Sequence, residues 1–278
     1  DSFRVATKAN PWYRDGRTTD TPAGGLRPEL VEEQLRKSLK ALKTDKVELF
    51  YLHAPDHDTP IEATLAAVNA LHQEGLFSEW GLSNFAAWQV VQIYYLCQMR
   101  GWCAPVVYQG MYNAVTRAVE AELLPALREC GMRFNAYNPL AGGILTGRYG
   151  FDDDPQSGRF SGKTVWGGRY RRGRGKKRGE EEGERFWRKA TFDAIDELRL
   201  LCAAHDTSLT SASLRWLRFH SVLDGEKGDG VVIGGSSVEH IRSNVEASVE
   251  AAPLPEDVLA GFDRAWEAAR RDCPQYFR

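Results

Sequence analysis

The sequence lacks the features that mark disulfide-rich, membrane and nucleic-acid-binding proteins. Its five cysteines are odd in number and scattered, and no CxxC pair occurs, which argues against a disulfide framework or a metal site and fits the cytoplasm. No apolar run approaches the roughly 18 residues that span a bilayer. The net charge of −2 creates no global field that would attract nucleic acid or a membrane surface. The remaining composition is typical of a soluble globular enzyme.

The sequence also lacks a GxGxxG motif after its first predicted strand, although β-rich runs alternate regularly with helical patterns. Such repeated βα units predict parallel strands, because each helix carries the chain back across the sheet. The six predicted strands cover residues 3–8, 47–53, 79–84, 106–112, 133–138 and 230–234.

Every predicted strand ends in polar residues, which decides between the two common parallel folds. Strand ends such as Leu52-His53 and Ser83-Asn84 would converge at the mouth of a closed barrel, where active sites are built. A doubly wound sheet has less use for six polar ends, because its ligands bind at one switch point. We therefore expect one α/β domain over residues 1–278, a (β/α)8 TIM-type barrel. Six βα units are present, and the regular internal spacing places the two missing ones before Asp1.

Several motifs give the chain a strong resemblance to the aldo-keto reductase superfamily, specifically to its aflatoxin-aldehyde reductases. They are ATKANPW (6–12), LFYLHAPDH (49–57), GLSNFAAW (81–88), YQGMYNAVTR (108–117), NPLAGGILTG (138–147) and CPQYFR (273–278). The resemblance implies transfer of hydride from NADPH to an aldehyde. The expected substrates are dialdehydes, succinic semialdehyde-like compounds and aflatoxin-derived aldehydes.

The family's catalytic tetrad is Asp, Tyr, Lys and His, and two of its members match this sequence. The resemblance makes Lys8 the lysine and His53 the histidine, and it implies that the Asp and Tyr precede Asp1. In that scheme the lysine lowers the pKa of the proton-donating tyrosine, and the histidine orients the carbonyl oxygen. The neighbouring Tyr13 does not match the family tyrosine. The chain as written is therefore expected to have little reductase activity.

The resemblance also assigns a set of residues to NADP. Ser83, Asn84 and Gln109 correspond to residues that bind the nicotinamide carboxamide, and a glycine-rich strap corresponds to the pyrophosphate site. The strap is Asn138, Pro139, Leu140, Ala141, Gly142, Gly143, Ile144, Leu145, Thr146, Gly147 and Arg148. Arg159 resembles a further cofactor contact. The 2′-phosphate and adenine are expected at a helix start, on Ser236, Ser237, His240, Arg242 and Asn244.

That helix start also has a purely structural interpretation. Ser236 and Glu239 form the S-x-x-E pattern of a capping box, and one segment can both cap a helix and bind phosphate. The sequence departs from the family here, because His240 replaces the usual glutamine. The expectation that this protein binds NADP rather than NAD therefore rests mainly on the resemblance to the family.

For the substrate, the resemblance implies contacts with His53, Tyr170, Arg185 and Arg278. Guanidinium groups suit a carboxylate, so an anionic aldehyde is expected. The basic-then-acidic insertion at 171–184 separates Tyr170 from Arg185, which lie close together in the family. A solvated loop explains this insertion better than a nuclear-localisation or RNA-binding segment, because its acidic half would neutralise the basic half.

Two broad alternatives stay open from the sequence. The first is an active reductase with a small-molecule carbonyl substrate and no nucleic-acid or membrane partner. The second is a catalytically inactive relic of the same barrel that binds cofactor or a partner protein, like the channel β-subunits of the superfamily. A nucleic-acid-binding module that uses the insertion is a weaker third reading. Either barrel is compatible with a homodimer.

Overall fold

The computed structural model describes residues 3–14, 17–18, 24–156, 160–161, 187–249 and 252–278. Eight strands occur in this part of the chain: β1 (Ala6–Ala9), β2 (Tyr13–Arg14), β3 (Arg17–Thr18), β4 (Val47–Leu52), β5 (Phe77–Ser83), β6 (Val107–Met111), β7 (Arg133–Tyr137) and β8 (Gly230–Val231). The α-helices of the same residues are α1 (Pro28–Leu42), α2 (Ile61–Gln73), α3 (Ala87–Arg100), α4 (Leu123–Glu129), α5 (Lys189–Ala204), α6 (Leu209–Phe219), α7 (Val238–Val249) and α8 (Glu256–Ala269). Short 3-10 helices cover Ala141–Thr146, Gly225–Lys227 and Arg270–Asp272.

Six of the strands form one sheet in the order β1-β4-β5-β6-β7-β8. The pairs β1–β4, β4–β5 and β5–β6 are parallel, with Lys8 opposite Tyr51 and Ser83 opposite Gln109. This confirms the predicted α/β class and its parallel strands. The order of the strands in the sheet follows their order in the chain. In the parallel strands β1, β4, β5 and β6, the polar carboxyl ends therefore lie along one edge of the sheet.

The chain divides into two compact units. The first unit consists of Asp1–Gly110, Glu120–Asn135 and Tyr276–Arg278, and the second of Met111–Val119 and Ala136–Gln275. Two of the four chain positions at which the units divide fall within strands β6 and β7.

The first unit is built from βα repeats with apolar strands. In β4, Val47, Phe50 and Leu52 are fully buried, as expected for a parallel strand covered on both faces. Helix α1 begins with Pro28, which fits the first turn because that turn needs no N–H donor, and it ends at Lys43 in the left-handed conformation. The helical spacing of Leu30, Leu35, Leu39 and Leu42 predicts a helix over residues 28–42, and the structure has the helix at these bounds.

The second unit packs its helices around buried aromatic residues. Helix α5 contacts α8, and Gly261 on α8 lies so close to Leu198 and Leu201 that a β-carbon would come within 3.0 Å of both. Trp216 on α6 is 3% exposed and stacks on the Arg117 guanidinium at 4.3 Å. These contacts give the unit its own core.

Some features were not anticipated from the sequence pattern. Strands β2 and β3 pair in an antiparallel hairpin directly after β1, where no strand was predicted. The predicted first strand begins three residues too early, since Phe3 is 93% exposed and the ladder starts at Ala6. The last strand is also shorter than predicted and stops at Val231. Among the described residues, no helix combines the length and apolarity needed to cross a membrane.

Candidate functional site

In the first unit, the two predicted catalytic residues lie at the ends of adjacent strands. Lys8 is the third residue of β1, and His53 follows β4, with its N–H donating to Ala9 O at 2.9 Å. The Lys8 ammonium sits over the ring of Tyr51, 4.8 Å from its centroid. Such a cation–π contact stabilises the charge of a lysine that is largely removed from water. The parallel register therefore brings Lys8 and His53 to the same edge of the sheet.

Burial controls the protonation of this pair. Desolvation, together with the smaller effect of the positive charges of Lys8 and Arg278, lowers the pKa of His53 to about 4. The same burial lowers the pKa of Lys8. His53 is consequently a neutral imidazole at physiological pH, with one N–H donor and one acceptor nitrogen.

Ser83 and Asn84 join this cluster through hydrogen bonds. Asn84 Nδ2 donates to His53 O at 2.8 Å and to Ser83 Oγ at 3.0 Å. Asn84 has a φ of 60°, and its carbonyl accepts the Arg278 N–H at 3.0 Å. The structure thus groups Ser83, Asn84, His53 and Arg278, four of the residues singled out from the sequence.

Trp12 belongs to the same cluster, although sequence reasoning did not single it out. Its ring meets the His53 imidazole edge-to-face, with centroids 5.8 Å apart and planes at 84°. The guanidinium of Arg278 lies over the same ring at 5.0 Å. Its place in the ATKANPW motif, four residues after Lys8, is the signal that could have suggested it.

Gln109 contacts the cluster through Tyr51. The Tyr51 hydroxyl accepts a hydrogen bond from Asn135 Nδ2 at 3.1 Å and is also hydrogen-bonded to the Gln109 side chain. Burial raises the pKa of Tyr51 above its ordinary value. Tyr51 therefore stays protonated and serves as a polar link between strands β4, β6 and β7.

Tyr13 is occupied elsewhere, although it lies close to Lys8 in sequence. Its hydroxyl donates to Glu33 at 2.6 Å and accepts from Lys37 at 2.8 Å, and both partners belong to α1. Tyr13 is 7% exposed. It therefore ties the hairpin strand β2 to a helix.

In the second unit, the predicted strap at residues 138–148 is shaped by left-handed backbone. Positive φ angles occur at Asn138, Ala141, Gly142, Gly143 and Gly147. The φ of 118° at Gly143 is disfavoured for any residue with a side chain. The Gly143 N–H donates to Leu140 O at 2.8 Å, so this amide is used within the turn. The turn is a compact 3-10 segment in which Ile144 and Leu145 are buried and hold it to the unit.

The other predicted nucleotide-binding segment opens helix α7. Ser237 Oγ accepts the His240 N–H at 3.2 Å, so Ser237 caps the helix; the expectation that Ser236 heads a capping box is wrong. Ser236 Oγ instead contacts His240 Nδ1 at 3.1 Å, and His240 Nε2 meets the Arg148 guanidinium at 3.1 Å. Because arginine only donates, Nε2 is the acceptor in this hydrogen bond.

Two more predicted residues of this segment have separate positions. Asn244 is buried and donates to Gly234 O at 3.2 Å, which ties α7 to the loop before it. Arg242 is exposed on the first turns of α7. Together with Arg148 and the helix start, this donor set is cationic and rich in N–H groups, and it fits an anionic phosphate-bearing cofactor.

Three predicted site residues lie outside the described residues. They are Arg159, Tyr170 and Arg185, and the insertion at 171–184 lies outside them as well. Among the described residues, no group of three or more His, Cys, Asp or Glu side chains could hold a metal ion.

Comparisons with known proteins agree with this arrangement. The sequence model of the Aldo/keto reductase family matches residues 1–267. Aflatoxin B1 aldehyde reductase member 2 of Rattus norvegicus is 48% identical over 284 residues, which cover 100% of this chain and 71% of that protein. Aflatoxin B1 aldehyde reductase member 4 of Homo sapiens is 46% identical over 281 residues, 99% of this chain and 78% of that protein. Aldo-keto reductase pigE of Monascus ruber is 37% identical over 256 residues, 91% of this chain and 71% of that protein.

The parallel α/β fold, the strand-end lysine and histidine and these matches lead to one conclusion. The chain belongs to the aldo/keto reductase family of (β/α)8 barrel oxidoreductases, which act on small carbonyl compounds with nicotinamide cofactors.

Proposed function

We propose that this protein uses NADPH to reduce aldehydes to alcohols, with dialdehydes, succinic semialdehyde-like compounds and aflatoxin-derived aldehydes as substrates. The observation that carries the proposal is the placement of Lys8 and His53, both half-buried, at the ends of adjacent parallel strands. The names of the mammalian relatives support aldehydes as the substrate class.

The reaction places distinct demands on the residues of the first unit. The reduced nicotinamide, when bound, supplies a hydride to the carbonyl carbon. Negative charge then develops on the carbonyl oxygen, and an N–H of the neutral His53 can donate a hydrogen bond to it without losing its proton. The resulting alkoxide must gain a proton to become the alcohol, and the resemblance assigns that donor role to the family tyrosine, whose pKa Lys8 would lower. The Lys8 charge stabilises the same developing charge, and it does so more strongly than in bulk water because both side chains are half-buried. The Ser83 and Asn84 pair lies next to His53 and can hold the carboxamide of the cofactor.

The second unit would hold the phosphates. In this proposal the strap at 138–148 follows the pyrophosphate, and Ser236, Ser237 and Arg242 bind the adenosine 2′-phosphate at the start of α7. Arg148 adds a guanidinium beside His240. Fixed N–H groups and arginines favour a dianionic phosphate over a ribose hydroxyl, which supports NADPH over NADH.

The cellular setting is part of the same proposal. All five cysteines are free thiols, which supports a reducing compartment, and we place the enzyme in the cytoplasm. We propose that it functions as a homodimer, and size-exclusion chromatography with light scattering tests this assembly directly.

The test uses the protein expressed from its complete coding sequence. NADPH and NADH are titrated while energy transfer from tryptophan to nicotinamide is followed, and NADPH oxidation is then recorded at 340 nm with 4-nitrobenzaldehyde. We expect NADPH to bind at least about tenfold more tightly than NADH, and its oxidation to require the aldehyde. Failure to bind NADPH would refute the proposal. Binding without turnover would favour the cofactor-binding relic instead.

A further inference from the structure

Trp12 connects the two substrate-facing groups of the first unit. The Trp12 ring meets the His53 imidazole edge-to-face, with ring centroids 5.8 Å apart. The Arg278 guanidinium carbon lies over the Trp12 ring, 5.0 Å from its centroid. A single rigid ring therefore contacts both the residue assigned to the carbonyl oxygen and the residue assigned to a substrate anion.

The main chain beside Arg278 is anchored independently of Trp12. The Arg278 N–H donates to Asn84 O at 3.0 Å, and the Tyr276 hydroxyl donates to Glu122 at 2.9 Å while accepting the Ala87 N–H at 3.1 Å. These bonds fix where the Arg278 side chain begins. They leave its direction to contacts made further along the side chain, and the Trp12 ring provides one of them.

The Arg278 guanidinium lies over the face of the Trp12 ring, 5.0 Å from its centroid, as in a cation–π contact. Such a contact takes up no N–H donor by itself, so the guanidinium N–H groups can still form hydrogen bonds with a carboxylate. The nearness of Arg278 to His53 is also visible in electrostatics, since the guanidinium charge helps to lower the pKa of His53.

We infer that Trp12 is a positioning residue that sets the enzyme's preference for aldehydes carrying a carboxylate. It acts by holding the Arg278 guanidinium at a fixed place relative to His53. A molecule with a carbonyl at one end and a carboxylate at the other is then held at both ends. This inference rests on the proposed function, because it assigns the selectivity of the same site.

Two matched aldehydes test the inference. 4-Carboxybenzaldehyde carries the anion, and methyl 4-formylbenzoate has nearly the same shape without the charge. KM and kcat are measured for both with the wild type, Trp12→Leu, Trp12→Phe and a control, Trp88→Leu. Trp88 is a suitable control because it is 63% exposed at the start of α3 in the same unit.

We expect Trp12→Leu to raise KM for the carboxylate about fivefold to tenfold, the size of a partly desolvated guanidinium–aromatic contact. KM for the ester should rise much less, so the anionic-to-neutral preference falls. Trp12→Phe should retain most of the preference, because it keeps an aromatic face. Equal losses for both aldehydes, or a loss of kcat alone, would overturn the inference and make Trp12 a structural residue.

A double-mutant comparison tests whether Trp12 changes the substrate preference through its contact with Arg278. Arg278→Met alone and the pair Trp12→Leu with Arg278→Met should show the same preference, because each change removes the oriented guanidinium. Additive losses would mean that Trp12 acts without Arg278, which contradicts the inference.

A binding measurement separates this inference from the proposed function. Calorimetry with the alcohol products, 4-carboxybenzyl alcohol and its methyl ester, needs no turnover. If the wild type binds the carboxylate better and Trp12→Leu loses that preference, the inference holds even where no aldehyde is reduced. Turnover with no difference between acid and ester would leave the proposed function standing and refute the inference.

Discussion

The two units use different physical means to prepare a binding site. In the first unit, the candidate site consists of side chains at strand ends, and burial sets their properties, as in the pKa of about 4 for His53. In the second unit, the strap owes its shape to left-handed backbone at residues such as Gly142 and Gly143, and Arg148 and His240 meet near the surface. Partly desolvated charges stabilise the negative charge that develops on a carbonyl oxygen during hydride transfer. A phosphate group is bound by backbone N–H groups at turns and helix starts and by exposed cations.

The largest expected effect tests the chemical side of this contrast. We expect His53→Ala to lower kcat about 10²- to 10³-fold, because it removes a donor to the oxygen that becomes charged in the transition state. The dissociation constant for NADPH should change by less than about twofold, since the proposed phosphate contacts are made by other residues, at 138–148 and at the start of α7. Steady-state kinetics and stopped-flow cofactor binding measure the two quantities.

A nearby histidine provides the control for that variant. His57 is exposed on the loop that follows His53, and His57→Ala should leave kcat near the wild-type value. Weakened NADPH binding with unchanged kcat in His53→Ala would reassign His53 to the cofactor.

The second prediction concerns how the free energy of unfolding depends on pH through the low pKa of His53. The pKa of His53 is about 4 in the folded protein and near 6.5 when unfolded. The unfolded chain therefore binds a proton first as the pH falls, and the free energy of unfolding should drop between about pH 6.5 and pH 4. The expected loss is roughly 2–3 kcal/mol, fully present near pH 4 and absent above pH 7.

Urea denaturation of the wild type and His53→Asn across this pH range measures that loss. Carboxylates titrate in both proteins, so the difference between them isolates the histidine. A difference that does not change with pH would show that His53 is solvated in the folded state.

The smallest expected effect concerns the left-handed backbone of the strap at residues 138–148. Gly143→Ala and Gly75→Ala both place a β-carbon at positive φ, 118° and 81°, so each should destabilise the fold by about 1–2 kcal/mol. Only Gly143→Ala should weaken NADPH binding, by about fivefold, because only Gly143 shapes the strap. Urea denaturation and tryptophan energy transfer separate the two effects. Equal NADPH affinities in the two variants would remove the strap from the cofactor site.

Local pattern was sufficient for most of the fold. Helix α1 was predicted to the residue, and the pattern placed Lys8 and His53 at strand ends, because side-chain periodicity and turn residues act over a few positions. It failed at the hairpin after β1 and at the cap of α7. Ser236 and Ser237 are equally good capping residues by type, and in the structure Ser237 caps the helix.

Residue types at short spacing were enough to predict the parallel α/β order, the chemistry of the strand ends and the family motifs. The contacts of Trp12 with both His53 and Arg278, and the bonds between Tyr13 and α1, join residues far apart in the chain and could be read only from the folded protein. The same holds for the low pKa of His53. Burial and stacking depend on which distant segments meet, and the meeting of distant segments is set by packing of the whole chain.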